Sequence, residues 1–186
     1  MAANLLSARW PEKRLILNVY AVIVLITYGW SLYTSFWKVP SWMYYLNIGE
    51  ILSIYAYSFT VNLIESLLLL LACLSPCLIL PSKWWKEEFL SRSLMFVMIF
   101  LGSITLRLFL YGSPDYRVDF VAAQRQWWSV TFIVLLLCVW LAPKLAWLKR
   151  SLEFFADQCS VFVYFSLPIS ILSLVVVLIR GMVGIS

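Results

Sequence analysis

The sequence contains no histidine. That absence removes His-ligated haem, most zinc sites and every Ser-His or Cys-His nucleophile arrangement. Phosphate and dinucleotide loops of the GxxxxGK[ST] and GxGxxG kind are missing as well, and so is any pair of CxxC motifs. Charge is scarce. Charged residues make up 12% of the chain against 63% hydrophobic, more than five apolar residues for each charged one, where ordinary soluble domains carry roughly two. Such a chain has too little polar surface to cover a soluble globule. An enzyme is not expected, and the only chemistry left formally open is that of carboxylates inside a membrane.

What is present fits a bilayer. The 10 Trp, 10 Tyr and 12 Phe lie in and around apolar runs longer than the ~18 residues that separate a membrane span from a core helix. Five runs qualify, approximately 15–37, 50–80, 90–111, 128–148 and 160–180. They predict an all-α integral membrane protein: a bundle of five transmembrane helices forming a single domain over residues 1–186, with no soluble domain. The first run follows the basic cluster Arg9, Lys13 and Arg14 and exits at Trp37-Lys38-Val39-Pro40. No small-residue cleavage site stands there, so the run reads as a retained anchor. The second, Leu46 to Leu80, has 35 residues and would be about 52 Å long as a helix, against a hydrocarbon core of about 30 Å. It must tilt, project into water, or begin with an interfacial segment around Trp42 to Ser53. Gly112-Ser113-Pro114 closes the third run.

Basic residues set an orientation. Nine fall at the N-terminus and at the second-to-third and fourth-to-fifth junctions: Arg9, Lys13, Arg14, Lys83, Lys86, Arg92, Lys144, Lys149 and Arg150. Five fall on the opposite side: Lys38, Arg107, Arg117, Arg125 and Arg180. The bias predicts a cytoplasmic N-terminus and, after five spans, an external C-terminus, with a bacterial cytoplasmic membrane as the expected home. Tryptophans agree, with Trp10, Trp84, Trp85 and Trp147 at one interface and Trp37, Trp42, Trp127 and Trp128 at the other. The net charge of +5 then points to anionic lipid rather than nucleic acid.

Polar residues within the apolar runs are the candidate functional groups. Tyr55, Ser58, Asn62 and Glu65 follow one another at offsets of 3, 4 and 3 residues, one face of a helix. Glu65 stands out, because an uncompensated carboxylate in a bilayer costs several kcal/mol. Arg107 on the third run lies at similar depth, so a Glu65–Arg107 ion pair is expected. Such a pair could fix helix register or handle an ion, proton or ligand. Glu50, Glu65, Arg107 and Arg180 all fall toward the external side, as do Asp115, Arg117, Asp119 and Arg125. Together they predict an outward polar vestibule.

In the fifth run, Ser166, Ser170 and Ser173 at offsets of 4 and 3, beside Pro168, predict a close helix-packing seam with a bend. The four cysteines, Cys73, Cys77, Cys138 and Cys159, lie outside the expected external loops, which argues against a disulfide. They read as small buried hydrophobes, with lipidation of Cys77 or Cys159 near the cytoplasmic interface as a minor alternative. Partner contacts are expected at Trp84 and Trp85 on one side and at Asp115, Tyr116 and Arg117 on the other, where arginine and aromatic residues of the hot-spot type cluster. No metal site and no cofactor are expected. The function that follows is a non-enzymatic subunit, sensor or scaffold of a membrane assembly, homo-oligomeric or joined to another membrane protein. The alternative is a small oligomeric channel or transporter with Glu65 as its ion- or proton-handling group.

Overall fold

The computed structural model describes residues 10–80, 85–111 and 120–183, and among these every regular element is helical. α1 spans Lys13–Tyr45, α2 Ile48–Ile79, α3 Phe89–Tyr111, α4 Phe120–Leu141 and α5 Ala146–Val183, with a 3-10 turn at Ala142–Lys144. All five α-helices are long and apolar enough to cross a membrane. The α1–α2 connection is abrupt: Leu46 adopts an extended conformation, and the Asn47 N–H donates to the Glu50 carboxylate at 2.7 Å. Glu50 therefore caps the start of α2 rather than facing a vestibule. Residues 42–45 end α1 and residues 48–53 open α2, so no separate surface segment precedes the second span.

Four boundaries differ from expectation, one of them the start of α4, at Phe120 instead of 128. α1 runs through Trp37-Lys38-Val39-Pro40 to Tyr45. A proline costs its helix one N–H bond, and most residues around Pro40 are exposed, where the freed carbonyl can be solvated. α4 stops at Leu141 instead of 148, because Pro143 opens a 3-10 turn. α5 starts at Ala146 rather than 160. The cause is a seam of buried residues, Leu152, Ala156, Cys159, Val163, Ser166, Ser170 and Ser173, at alternating offsets of 4 and 3. That heptad pattern runs without interruption from the charged N-terminal part of α5 into its apolar part and keeps the helix packed throughout.

α1 is the centre of the bundle. Its seven consecutive residues Asn18 to Val24 are buried, as expected of a helix enclosed on every side. α1 packs on α5, α2 and α3, α2 packs on α5, and α3 carries α4. α4 is outermost: among its described side chains only Thr131 is buried. α2 and α3 scarcely touch each other.

Hydroxyls hold the interior together. Tyr28 Oη and Ser170 Oγ lie 2.5 Å apart, and Ser170 Oγ donates to the Ser166 carbonyl at 2.6 Å. Thr27 and Thr60 return their hydroxyls to carbonyls four residues earlier in their own helices, as is usual where no water is available. Ser75 Oγ donates to the Ala72 carbonyl at 2.9 Å, the acceptor that Pro76, lacking an N–H, leaves free. At the opposite end from the α1–α2 connection, Arg14 pairs with Asp157 at 2.9 Å and Lys149 with Glu88 at 2.8 Å. The cysteines are free thiols. Cys77 and Cys159 are only 4% and 3% exposed, so their sulfurs belong to the core and are not presented for lipidation.

Candidate functional site: a cleft between the first three helices

Because α2 and α3 diverge, a cavity of about 490 Å³ opens between them, and α1 forms its floor. α1 contributes Thr27, Trp30 and Ser31, α2 contributes Asn62 and Glu65, and α3 contributes Thr105. Below these polar groups, toward the middle of the bundle, the lining becomes apolar, with Ile26, Leu68, Leu69, Phe100 and Leu101. Glu65 lies near the middle of α2, a helix long and apolar enough to cross a membrane. The cleft thus carries its polar groups toward the end of the bundle that holds the α1–α2 connection, where Ile104 and Leu108 also line it, and is apolar further down.

Asn62 and Glu65, one helical turn apart, differ sharply in environment. Asn62 is only 4% exposed; its Oδ1 accepts from Ser31 Oγ at 2.9 Å, and its Nδ2 has no hydrogen-bond partner. A buried amide donor without an acceptor costs about 1–3 kcal/mol. Glu65 is exposed at the rim. The site therefore offers a carboxylate at its rim and, one turn away, a buried amide donor without an acceptor, beside an apolar trough.

The expected Glu65–Arg107 ion pair does not form, since the ion pairs among the described residues are the two already named. The Arg107 guanidinium lies 5.7 Å from the Trp127 ring centroid, on the α4 side of α3. Ser103, one turn earlier, faces the same way: it accepts from Trp127 Nε1 at 2.8 Å and lies 2.7 Å from Thr131 Oγ1. Leu101, Ile104, Thr105 and Leu108 line the cleft instead, roughly 100° round the helix from Arg107 at 3.6 residues per turn. Depth matched, but azimuth did not.

The α2 stripe divides in the same manner. Tyr55 packs edge-on against Trp42 and beside Phe59, Ser58 is half-buried, and only Asn62 and Glu65 reach the cleft. Ser166, Ser170 and Ser173 are buried at 9%, 0% and 7% exposure and lie outside the cleft. Trp85 is half-buried, packed partly against the core with the Arg92 guanidinium 5.8 Å from its ring centroid. Trp84, Asp115, Tyr116 and Arg117 lie outside the described residues. No vestibule gathers Glu50, Glu65, Arg107 and Arg180: Glu50 caps α2, Arg107 faces α4, and Arg180 donates to Ser53 Oγ across α5 and α2.

Thr27 and Ser31, the α1 half of the cleft, did not emerge from the sequence reading. Their signal was a second polar stripe, Thr27, Ser31 and Thr34, at offsets of 4 and 3. Two further cavities are less polar. One of about 600 Å³ lies between α3 and α4 beside Phe96, Phe100 and Trp128, and one of about 190 Å³ lies among α1, α2 and α5 beside Tyr28 and Phe59. Neither contains a carboxylate. No family model matches this sequence, and neither a curated protein nor a solved structure matches it, so what the cleft can do is read from its own residues.

Proposed function

We propose that this chain is a non-enzymatic, multi-pass membrane protein that works as the ligand-receiving member, a sensor or subunit, of a membrane assembly. The observation that carries this is the pairing of an exposed Glu65 carboxylate with the vacant Asn62 amide in one membrane-depth cleft. In a bilayer an unpaired carboxylate at such depth must be protonated, hydrated or covered by a cationic or donor group. A pre-formed cleft with two complementary polar groups and an apolar body has the makeup of a binding site. The basic-residue bias supports an orientation with the Arg14 and Lys149 end at the cytoplasmic face, and a bacterial cytoplasmic membrane is the setting expected with it.

A second reading, an oligomeric channel or transporter with Glu65 as the titrating group, is favoured by the exposure of Glu65 at the cleft rim. One preparation separates the two. Wild-type protein and Glu65→Gln are purified with lipid retained, weighed by native mass spectrometry, and assayed for proton and cation flux in proteoliposomes. A defined homo-oligomer or stoichiometric complex, with a bound small molecule lost in Glu65→Gln and no flux, supports the ligand-receiving component. Flux that disappears in Glu65→Gln while the assembly persists supports the transporter. A bare monomer with neither property, and with wild type and variant alike, overturns both.

A further inference from the structure

On the reading that the cleft is the working part of the protein, we propose that its ligand is an amphiphile drawn from the bilayer, carrying one protonated amine between an oxygen acceptor and an apolar tail. Inorganic cations fit poorly. A hard cation wants six or more oxygen ligands, whereas the cleft offers a single carboxylate and a few hydroxyls, and the Asn62 Oδ1 is already engaged by Ser31. An ammonium needs less: one carboxylate supplies both its counter-charge and a charge-assisted hydrogen bond.

Three features select the rest of the molecule. The Asn62 Nδ2 is buried, unpartnered and one turn nearer the interface than Glu65, so it calls for an oxygen acceptor just above the ammonium. Leu69, Phe100 and Leu101 line the cleft below Glu65 and call for an apolar tail beneath it. The rim residues Leu68 and Leu108 are 60% and 49% exposed on flanks that face lipid, so entry is sideways from the bilayer. The order oxygen, ammonium, tail along the membrane normal is that of a long-chain 2-amino alcohol.

The test uses full-length protein in phosphatidylcholine nanodiscs, with 2-amino-1-dodecanol, its N-acetyl derivative, dodecylamine and dodecanoate as probes and native mass spectrometry as readout. The amino alcohol should bind saturably, one per chain, at least tenfold more tightly than the N-acetyl derivative and about threefold or more above dodecylamine. Glu65→Gln should remove the preference for amine over N-acetyl derivative at unchanged thermal stability. Thr105→Phe, which fills the α3 wall without touching Glu65, should abolish saturable binding of every probe. Saturable binding of the N-acetyl derivative or dodecanoate at equal strength, still blocked by Thr105→Phe, would overturn the amine while leaving the cleft a ligand site. No saturable binding of any probe, with Thr105→Phe and Glu65→Gln both indistinguishable from folded wild type, would overturn the cleft itself.

Discussion

Glu65 shows how little position along a helix alone decides the partner of a polar residue in an apolar run. Arg107 lies at a comparable level, yet its guanidinium lies over Trp127, a contact worth roughly 0.5–2 kcal/mol by its degree of desolvation. Glu65→Gln and Arg107→Ala should accordingly be additive in stability, within about 0.5 kcal/mol, whereas Arg107→Ala and Trp127→Ala should be coupled by at least that amount. Reversible unfolding in mixed micelles, run as two double-mutant cycles, measures both. A coupling above about 1 kcal/mol between Glu65 and Arg107 would sink the assignment. That Glu65 would be exceptional was legible in the sequence, because a lone carboxylate in an apolar run is costly wherever the helix turns. Its neighbours in the cleft were not. Ser31 and Thr105 are ordinary hydroxyls until the fold bonds Ser31 to Asn62 and sets Thr105 in the wall of the same cleft.

The helices tolerate three interior prolines, Pro40, Pro76 and Pro168, and Pro76 shows how. The carbonyl it leaves free on Ala72 is taken by the hydroxyl of the preceding Ser75. Ser75→Ala should therefore cost about 0.6 kcal/mol, the usual size of such bonds in membrane proteins. In a Pro76→Ala background, where a backbone N–H returns to that carbonyl, the cost should vanish; thermal unfolding of the four variants decides it. The length of α5 is also an element-scale matter. A hydropathy reading begins the span near residue 160, because Lys149, Arg150, Glu153 and Asp157 look like a loop. The 4-and-3 spacing of Leu152, Ala156 and Cys159 continues directly into the serine seam, and that period was present in the sequence all along. Composition obscured it, since charged residues on the outer face of a helix lower mean hydropathy without breaking periodicity.

Among the described residues the organising fact is that the 18–24 stretch of α1 is enclosed while α4 packs chiefly on α3. Equal truncations should cost unequally: Ile23→Ala, at a fully buried position, about 2–5 kcal/mol, and Leu136→Ala, 53% exposed on α4, about 0.5 kcal/mol or less. Unfolding in mixed micelles measures both, and similar losses would mean that α1 is not the hub. Hydropathy and length fixed the number of apolar helices, because each segment partitions between water and hydrocarbon largely on its own account. The lack of histidine and of phosphate-loop motifs narrowed the chemistry before any fold was considered. Which helix stands at the centre, which face of α3 lines the cleft, and that α2 and α3 part to leave it were decided only in three dimensions. The reason lies in the solvent: lipid tails are as apolar as leucine, so hydrophobicity does not mark the inward face of a membrane helix. Side-chain shape and hydroxyl pairing between helices make that choice, and only the assembled bundle expresses them.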